Sequence, residues 1–330
     1  VQGWEVHDIK IKEEEMKKAI LLLVFPLVLL PQFAKVGTAG AQFLTIPVGA
    51  RATGMGEAYI GVCEDATACF WDPADLVRID KVSVFIGGFQ WIAGFQHVNV
   101  AFAKRLNPVS VAGGFITVFD SGEMEETTIE EYGTGNYFSY KAYQAGVSYA
   151  ASLTEKFSFG LNLKVLGEIY GPYSSTIAWA WDVGTIYFTG WKTLRFGMSI
   201  FHFGPDIKPS GTYIDWTNGE PGDTMEYSPY PLPITFRVGA AMEVYQTENM
   251  RVTLAVDGVH PNDNLEGLRI GTEISLMDML FVRGGYALQK DEQDVSFGMG
   301  VKYNIFNIDY SFTNMGALPD CHRMDVSISF

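Results

Sequence analysis

The residues Arg323-Met324-Asp325-Val326-Ser327-Ile328-Ser329-Phe330 alternate polar and apolar side chains without a break. In an extended chain successive side chains point to opposite faces. Met324, Val326, Ile328 and Phe330 therefore share an apolar face, and Arg323, Asp325, Ser327 and Ser329 a polar one. A single run of this kind is an ordinary half-buried antiparallel strand. Here the pattern recurs from Lys81 onward, in segments close to the roughly 9 to 11 residues that a tilted strand needs to cross a bilayer. The fold class this predicts is an all-β membrane protein, an antiparallel transmembrane β-barrel of about 14 strands closed by residues 322–330.

The expected strands cover 82–90, 95–104, 109–119, 137–151, 157–169, 176–189, 193–203, 234–246, 250–259, 266–276, 279–289, 295–303, 306–313 and 322–330. Their number is even, as in bacterial single-chain barrels. The connections supply an independent check, because outer-membrane barrels have short periplasmic turns and longer outer loops. Every even-numbered strand is followed by a short link, whereas the two long ones, 120–136 and 204–233, both follow odd-numbered strands. A soluble sandwich has no reason to sort its loops this way.

Composition agrees. Charged residues make up 18% and aromatics 14% of 330 residues, with 35 glycines, a mix suited to aromatic-rich strands and turns. A mean hydropathy of +0.09 is too polar for a helical membrane protein but not for a barrel, whose interior is polar. A net charge of -15 argues against a nucleic-acid partner, which requires clustered Lys and Arg. Cys63, Cys69 and Cys321 form no metal knuckle; Cys63 and Cys69 are close enough in sequence to pair, the alternative being unpaired buried thiols. The five histidines have no ligand spacing, and no nucleophile elbow, zinc-protease motif or P-loop is present, so no metal, cofactor or catalytic site is expected.

Residues 1–15 are polar and patternless, and Met16-Lys17-Lys18 then opens onto an apolar run, 19–34, carrying Pro26 and Pro31. A run this short behind two lysines reads as a signal-peptide core, with Met16 as the start and 1–15 an upstream extension. Cleavage is expected after Ala34, with Ala39 as the rival position, which gives an exported protein destined for the bacterial outer membrane. The predicted organisation is 1–34 extension and signal peptide, 35–80 an N-terminal hatch, and 81–330 the barrel. The hatch segment does not alternate and is rich in Gly and Ala; Asp65 or Thr67 caps a short helix running through Phe70, and Pro73 stops it.

Three runs here, GTAGAQFL from Gly37, GARATGMGEAY from Gly49 and EDATACFWDPADL from Glu64, resemble the N-terminal signature of the PorV/PorQ family, within the FadL-like outer-membrane barrels. That family usually shows Asn-Pro-Ala-Gly-Leu where this chain has Asp72-Pro73-Ala74-Asp75-Leu76. The resemblance implies a 14-stranded barrel with a lumenal hatch, whose motif includes Trp71, Asp72, Pro73 and Ala74. It also implies a non-enzymatic role in type IX secretion, binding exported proteins for surface attachment, with secreted proteins or secretion components as partners. The alternative is a FadL-like channel for uptake of a hydrophobic small molecule.

Alternation also assigns faces. A Lys or Arg facing lipid at the midplane costs about 2 to 4 kcal/mol, so charged rows face inward. The expected lumenal set is Lys164, Glu168, Arg237, Glu243, Arg251, Asp257, Arg269, Glu273, Arg283, Lys302, Asp309, Arg323 and Asp325. Two readings stand for it: ion-pair networks that dock the hatch, or a selective polar pathway. The long loop 204–233 carries Tyr213, Trp216, Tyr227 and Tyr230, a candidate partner-binding surface or part of the aromatic belt next to the surrounding outer-membrane lipid.

Overall fold

The computed structural model describes residues 36–128, 132–217, 220–290 and 293–330. The expected signal peptide and upstream extension lie outside the described residues. Fourteen antiparallel strands close into one barrel in sequence order. They are β1 Val82–Gln90, β2 Gln96–Asn107, β3 Ser110–Asp120, β4 Tyr140–Ser152, β5 Phe157–Tyr170, β6 Ser174–Phe188 and β7 Arg195–Phe203. There follow β8 Thr235–Gln246, β9 Met250–Pro261, β10 Gly267–Leu276, β11 Leu280–Leu288, β12 Val295–Tyr303, β13 Phe306–Thr313 and β14 Cys321–Ser329. The expected spans lie within three residues of these at every end. The seam joins β14 to β1 in register from Ser83 opposite Ser329 to Phe89 opposite Arg323, so the alternating run 323–330 closes the barrel.

The two faces follow the alternation. On β5, Leu161, Leu163 and Val165 are exposed outward while Asn162, Lys164 and Glu168 are buried. Among the described residues no helix is long and apolar enough to cross a membrane. Near the short-turn end, outward Tyr149, Tyr187, Phe196, Tyr245, Tyr303 and Phe306 form an interfacial girdle.

Inside the barrel, residues 36–80 form a hatch of short pieces: a 3-10 turn at Gln42–Thr45, helix α1 at Ala50–Gly54, helix α2 at Ala68–Trp71, and a 3-10 turn at Pro73–Arg78. Thr67 is the residue preceding α2, and Asp65 Oδ1 accepts from its backbone N–H at 2.8 Å. After α2, the Asp72 side chain accepts from Ala74 N at 2.9 Å and starts the final turn at Pro73. The hatch buries Met55, Tyr59, Val62, Trp71 and Leu76 against Phe85, Phe115 and other inner-wall residues. A second apolar cluster at the long-loop end joins Phe43 and Leu44 to Phe119, Leu166, Ile207 and Leu232.

The hatch is seated backbone against backbone. A Cβ on Gly285 of β11 would collide with the backbone of Met55 and Gly56. Only glycine lets the two main chains approach this closely. All three cysteines are free and buried, so the pairing considered for Cys63 and Cys69 is absent and the unpaired alternative holds. Cys63 Sγ instead lies 3.2 Å from Thr67 Oγ1, and Cys69 Sγ 3.2 Å from Ser148 Oγ.

Candidate functional site

The inward charges fall into distinct groups. At the short-turn end Arg51 of α1 meets Glu273 of β10 through Nε at 2.9 Å and Nη2 at 2.8 Å. Arg283 of β11 donates to the same carboxylate at 2.6 Å and to Asp309 of β13. Asp325 of β14 accepts from Ala50 N, and Asp257 of β9 accepts from Tyr59 N at 2.8 Å and Ile60 N at 3.0 Å. Glu243 of β8 pairs with Arg195 through two bonds of 2.9 Å. These contacts join wall to hatch or strand to strand, and each buried charge gains a partner for the water it loses.

Three members of the expected set sit differently. Lys302 has inward parity but lies beyond the hatch and is exposed, so it belongs to no buried network. Arg251 pairs with Asp278 at 3.5 Å at the half-exposed rim. Arg323 has no carboxylate within ion-pair distance among the described residues; its guanidinium lies 4.4 Å from the Phe89 ring centroid and donates to Thr313 Oγ1 at 3.1 Å. The aromatic face takes the place of a counter-charge there.

Above the hatch, toward the long loops, lies a cavity of about 500 Å³. Its apolar wall comes from the arm that precedes α1, through Phe43, Leu44, Ile46 and Val48, and from Phe115 and Phe201 on the barrel. The arm is tied to the outer loops: Gly37 N donates to Asp263 O, Gly40 N to Pro231 O, both at 3.0 Å, and Gln42 Nε2 to Asp263 Oδ2 at 2.6 Å. Lys164 on the wall is paired with Asp182 at 2.7 Å and lies 2.7 Å from His202 Nδ1.

Opposite, Glu57 of the hatch is buried and ringed by cations. Lys290 Nζ bonds its Oε1, with Arg237 Nη2 4.0 Å and Arg269 Nε 3.9 Å from its Oε2. Burial alone would raise the Glu57 carboxyl, but Lys290, Arg269 and Arg237 overcome it and hold the group at about 2. Glu57 has a left-handed backbone, φ 68°, which turns its side chain into this ring.

On the outer surface a lipid-facing hollow of about 590 Å³ lies over Gly114 and Ala145. Phe115 and Lys164 line both it and the lumenal cavity, so the wall between the two is a single layer of residues there.

Of the expected hatch motif, only Trp71 reaches the cavity; it donates from Nε1 to Val48 O at 2.9 Å and lies 4.9 Å beneath the Arg237 guanidinium. Asp72, Pro73 and Ala74 are buried against Gly160 and Gly184 of the wall. The loop aromatics do not form one surface. Tyr213 is exposed on a hairpin, Thr212–Thr217 with Glu220–Glu226, and stacks on Tyr227 at 5.3 Å. Trp216 lies on that hairpin, its side chain outside the described residues. Tyr230 turns inward and donates to Glu168 Oε2 at 2.9 Å, alongside Tyr140 at 2.5 Å and Tyr170 at 3.1 Å.

Sequence reasoning missed Glu57, Lys290, Asp182, Arg195 and the apolar arm. Asp182 and Arg195 carried a signal, since each is the charge at inward parity in its own strand, β6 and β7. Glu57 and Lys290 carried none, because neither stands in an alternating run.

No protein-family model matches the chain, and no curated protein matches it. Solved structures do. The Ralstonia pickettii toluene transporter TbuX superposes with a TM-score of 0.56 at 11% identity, covering 86% of this chain and 98% of that one. The monoaromatic hydrocarbon channel CymD gives 0.58 at 12% identity, with 86% and 98% covered. A Pseudomonas aeruginosa FadL homologue gives 0.55 at 9% identity, with 86% and 99% covered. The chain shares its fold with this toluene transporter, this hydrocarbon channel and this FadL homologue. The PorV/PorQ assignment finds no support. The expected role in binding exported proteins is overturned, since the neighbours sharing the whole fold are named as hydrocarbon transporters and channels.

Proposed function

We propose that the protein is a non-enzymatic outer-membrane channel for uptake of hydrophobic small molecules. The observation that carries this is the cavity of about 500 Å³ between the apolar arm and the wall, within the usual range of roughly 300 to 1,000 Å³ for small-molecule sites. The names of the structural neighbours, a toluene transporter and a monoaromatic hydrocarbon channel, support the same class of cargo.

Arg237, Arg269 and Lys290 against the single carboxylate of Glu57 leave a local surplus of positive charge beside an apolar wall. That favours a substrate with one acidic end over a wholly apolar one. The hatch fills the lumen below the cavity, whereas toward lipid the cavity is bounded at Phe115 by one residue layer, so release through the wall is the shorter route.

The test is uptake of a radiolabelled monoaromatic hydrocarbon and of a matching aromatic carboxylate by cells carrying the wild type or Ile46→Trp, which fills the cavity from the arm. Uptake of at least one cargo falls by about tenfold or more in the variant, with the barrel folded by its heat-modifiable gel mobility. Uptake unchanged by Ile46→Trp, or no uptake above cells lacking the barrel, overturns the reading.

A further inference from the structure

Three buried carboxylates converge where the hatch meets β6 to β9. Asp72, Asp75 and Asp257 are each fully buried. Each has one oxygen occupied: Asp72 Oδ1 by Ala74 N at 2.9 Å, Asp75 Oδ2 by Gly61 N at 3.0 Å, and Asp257 Oδ2 by Tyr59 N and Ile60 N. Each has its other oxygen buried with no protein donor: Asp72 Oδ2, Asp75 Oδ1 and Asp257 Oδ1.

Two of these oxygens meet adjacent wall positions, and Gly61 N, from which Asp75 Oδ2 accepts, lies 3.6 Å from the Gly197 Cβ position. Asp72 Oδ2 lies over Gly197, 3.2 Å from where a Cβ would stand, and Asp257 Oδ1 lies over Gly239. Gly197 and Gly239 are direct cross-strand partners, and Ile60 presses on both. A side chain at Gly239 would displace the Asp257 carboxylate, and one at Gly197 would drive into Ile60 and crowd Asp72 Oδ2, so the paired glycines make room for the cluster.

Among the described residues no neighbouring cation is hydrogen-bonded or ion-paired to any of the three. From the hatch, Arg78 bonds Gly61 O and Cys63 O at 2.8 Å and Glu64 at 3.3 Å. From β7, Arg195 bonds Gly61 O and Glu243 of β8. From β8, Arg237 lies over Trp71 and 4.0 Å from Glu57, with its Nη1 unbonded, and from β10 Arg269, the cross-strand partner of Asp257, bonds Leu268 O and Leu288 O and lies 3.9 Å from Glu57. From β5 and β6, Lys164 and Asp182 pair with each other. Three ionised carboxylates this close, buried and without a bonded cation, repel one another strongly, and one bound proton relieves both the repulsion and a missing donor.

We propose that Asp72, Asp75 and Asp257 share a proton, and that this proton sets how firmly residues 57–78 are seated on β6 to β9. The inference does not depend on what the channel carries. Burial, then the facing Asp75, pushes the Asp72 carboxyl well above the usual range, and burial also raises Asp75 despite Arg78 and Arg195. A carboxyl raised in the folded state gives stability that is complete below its ordinary value and is lost as pH rises through the raised one. The hatch therefore loosens on the alkaline side, while the barrel wall stays closed.

The experiment is hydrogen exchange by mass spectrometry on the purified barrel, corrected at each pH for the intrinsic exchange rate, on wild type and Asp72→Asn. Asparagine keeps the acceptor for Ala74 N and supplies a permanent donor. Between roughly pH 6 and pH 9 the protection of 57–78 falls about tenfold or more in wild type and less than about twofold in the variant, with β12 unchanged in both. Wild-type protection that does not vary, or a variant that follows wild type, overturns the proposal. Should Asp72→Asn not fold, infrared spectroscopy of the wild type decides: a protonated-carboxyl band lost over the same range supports the shared proton, and its absence refutes it.

Discussion

Replacing Glu57 by Gln removes the one anion in a ring of three cations while keeping the shape of the side chain. Glu57 Oε1 also accepts from Gln293 Nε2 at 3.1 Å, so an amide retains one bond but loses the charge. Removing one partner of a buried ion pair costs about 3 to 5 kcal/mol, because the remaining charge stays buried without compensation. Lys290 is 25% exposed and can turn to water, whereas Arg269 is only 7% exposed and cannot, which places the cost near the lower end, at ~3 kcal/mol. At 1.4 kcal/mol per decade this is on the order of a hundredfold in the opening equilibrium of the hatch. Hydrogen exchange over 50–60 reads it directly. The double variant Glu57→Gln with Lys290→Met removes one uncompensated charge as well, and recovers about 1 kcal/mol relative to the sum of the singles. Protection unchanged in Glu57→Gln, or strict additivity in the cycle, would mean that Glu57 does not hold the cation ring. Because the Glu57 carboxyl is held below its ordinary value of 4.5, its contribution is complete above that pH and lost only as pH falls toward 2.

Other substitutions separate wall from hatch. Val165→Arg places a charge on the lipid face of β5, where Val165 is 46% exposed, and costs about 2 to 4 kcal/mol, read as a reduced folded fraction on refolding into lipid. A folded fraction equal to wild type would put Val165 outside the bilayer. Gly285→Val drives a side chain into the backbone of Met55 and Gly56, and overpacking of this kind costs about 1 to 3 kcal/mol. It lowers exchange protection in α1 while β5 is unaffected; an undisturbed α1 would contradict the backbone seating. Alkylation without reductant labels all three cysteines in the unfolded protein and none in the folded one, whereas a Cys63–Cys69 disulfide would leave a single labelled thiol.

The barrel was legible in the sequence because its physics is local. Side chains alternate along each strand, lipid admits only one of the two rows, and the links sort by length, so β1, β12 and β13 are located to the residue. The hatch was legible as a segment without alternation, down to the Pro73 stop. What joins it to the wall was not. Glu57 meets Lys290, 233 positions later, and Arg51 meets Glu273, 222 positions later, and no periodicity encodes such meetings. The alternation placed Arg323 correctly on the inner row, but a buried cation held by Phe89 rather than by a carboxylate reads the same in sequence as a paired one. The lumenal charges left two readings open in the sequence, docking of the hatch or a polar pathway. In the structure many of them are taken up in docking the hatch, which leaves Phe43, Leu44 and Ile46 to line the cavity. Of these, Phe43 and Leu44 fall in the GTAGAQFL run that resembles the PorV/PorQ signature, whose implied function did not hold.

Native mass spectrometry of the barrel, gently extracted from its own membrane, shows what the cavity holds. One hydrophobic small molecule per barrel is expected, lost in Ile46→Trp, with no protein bound. A barrel that is always empty, or one carrying an exported protein in stoichiometric amount with the cavity unoccupied, would contradict it.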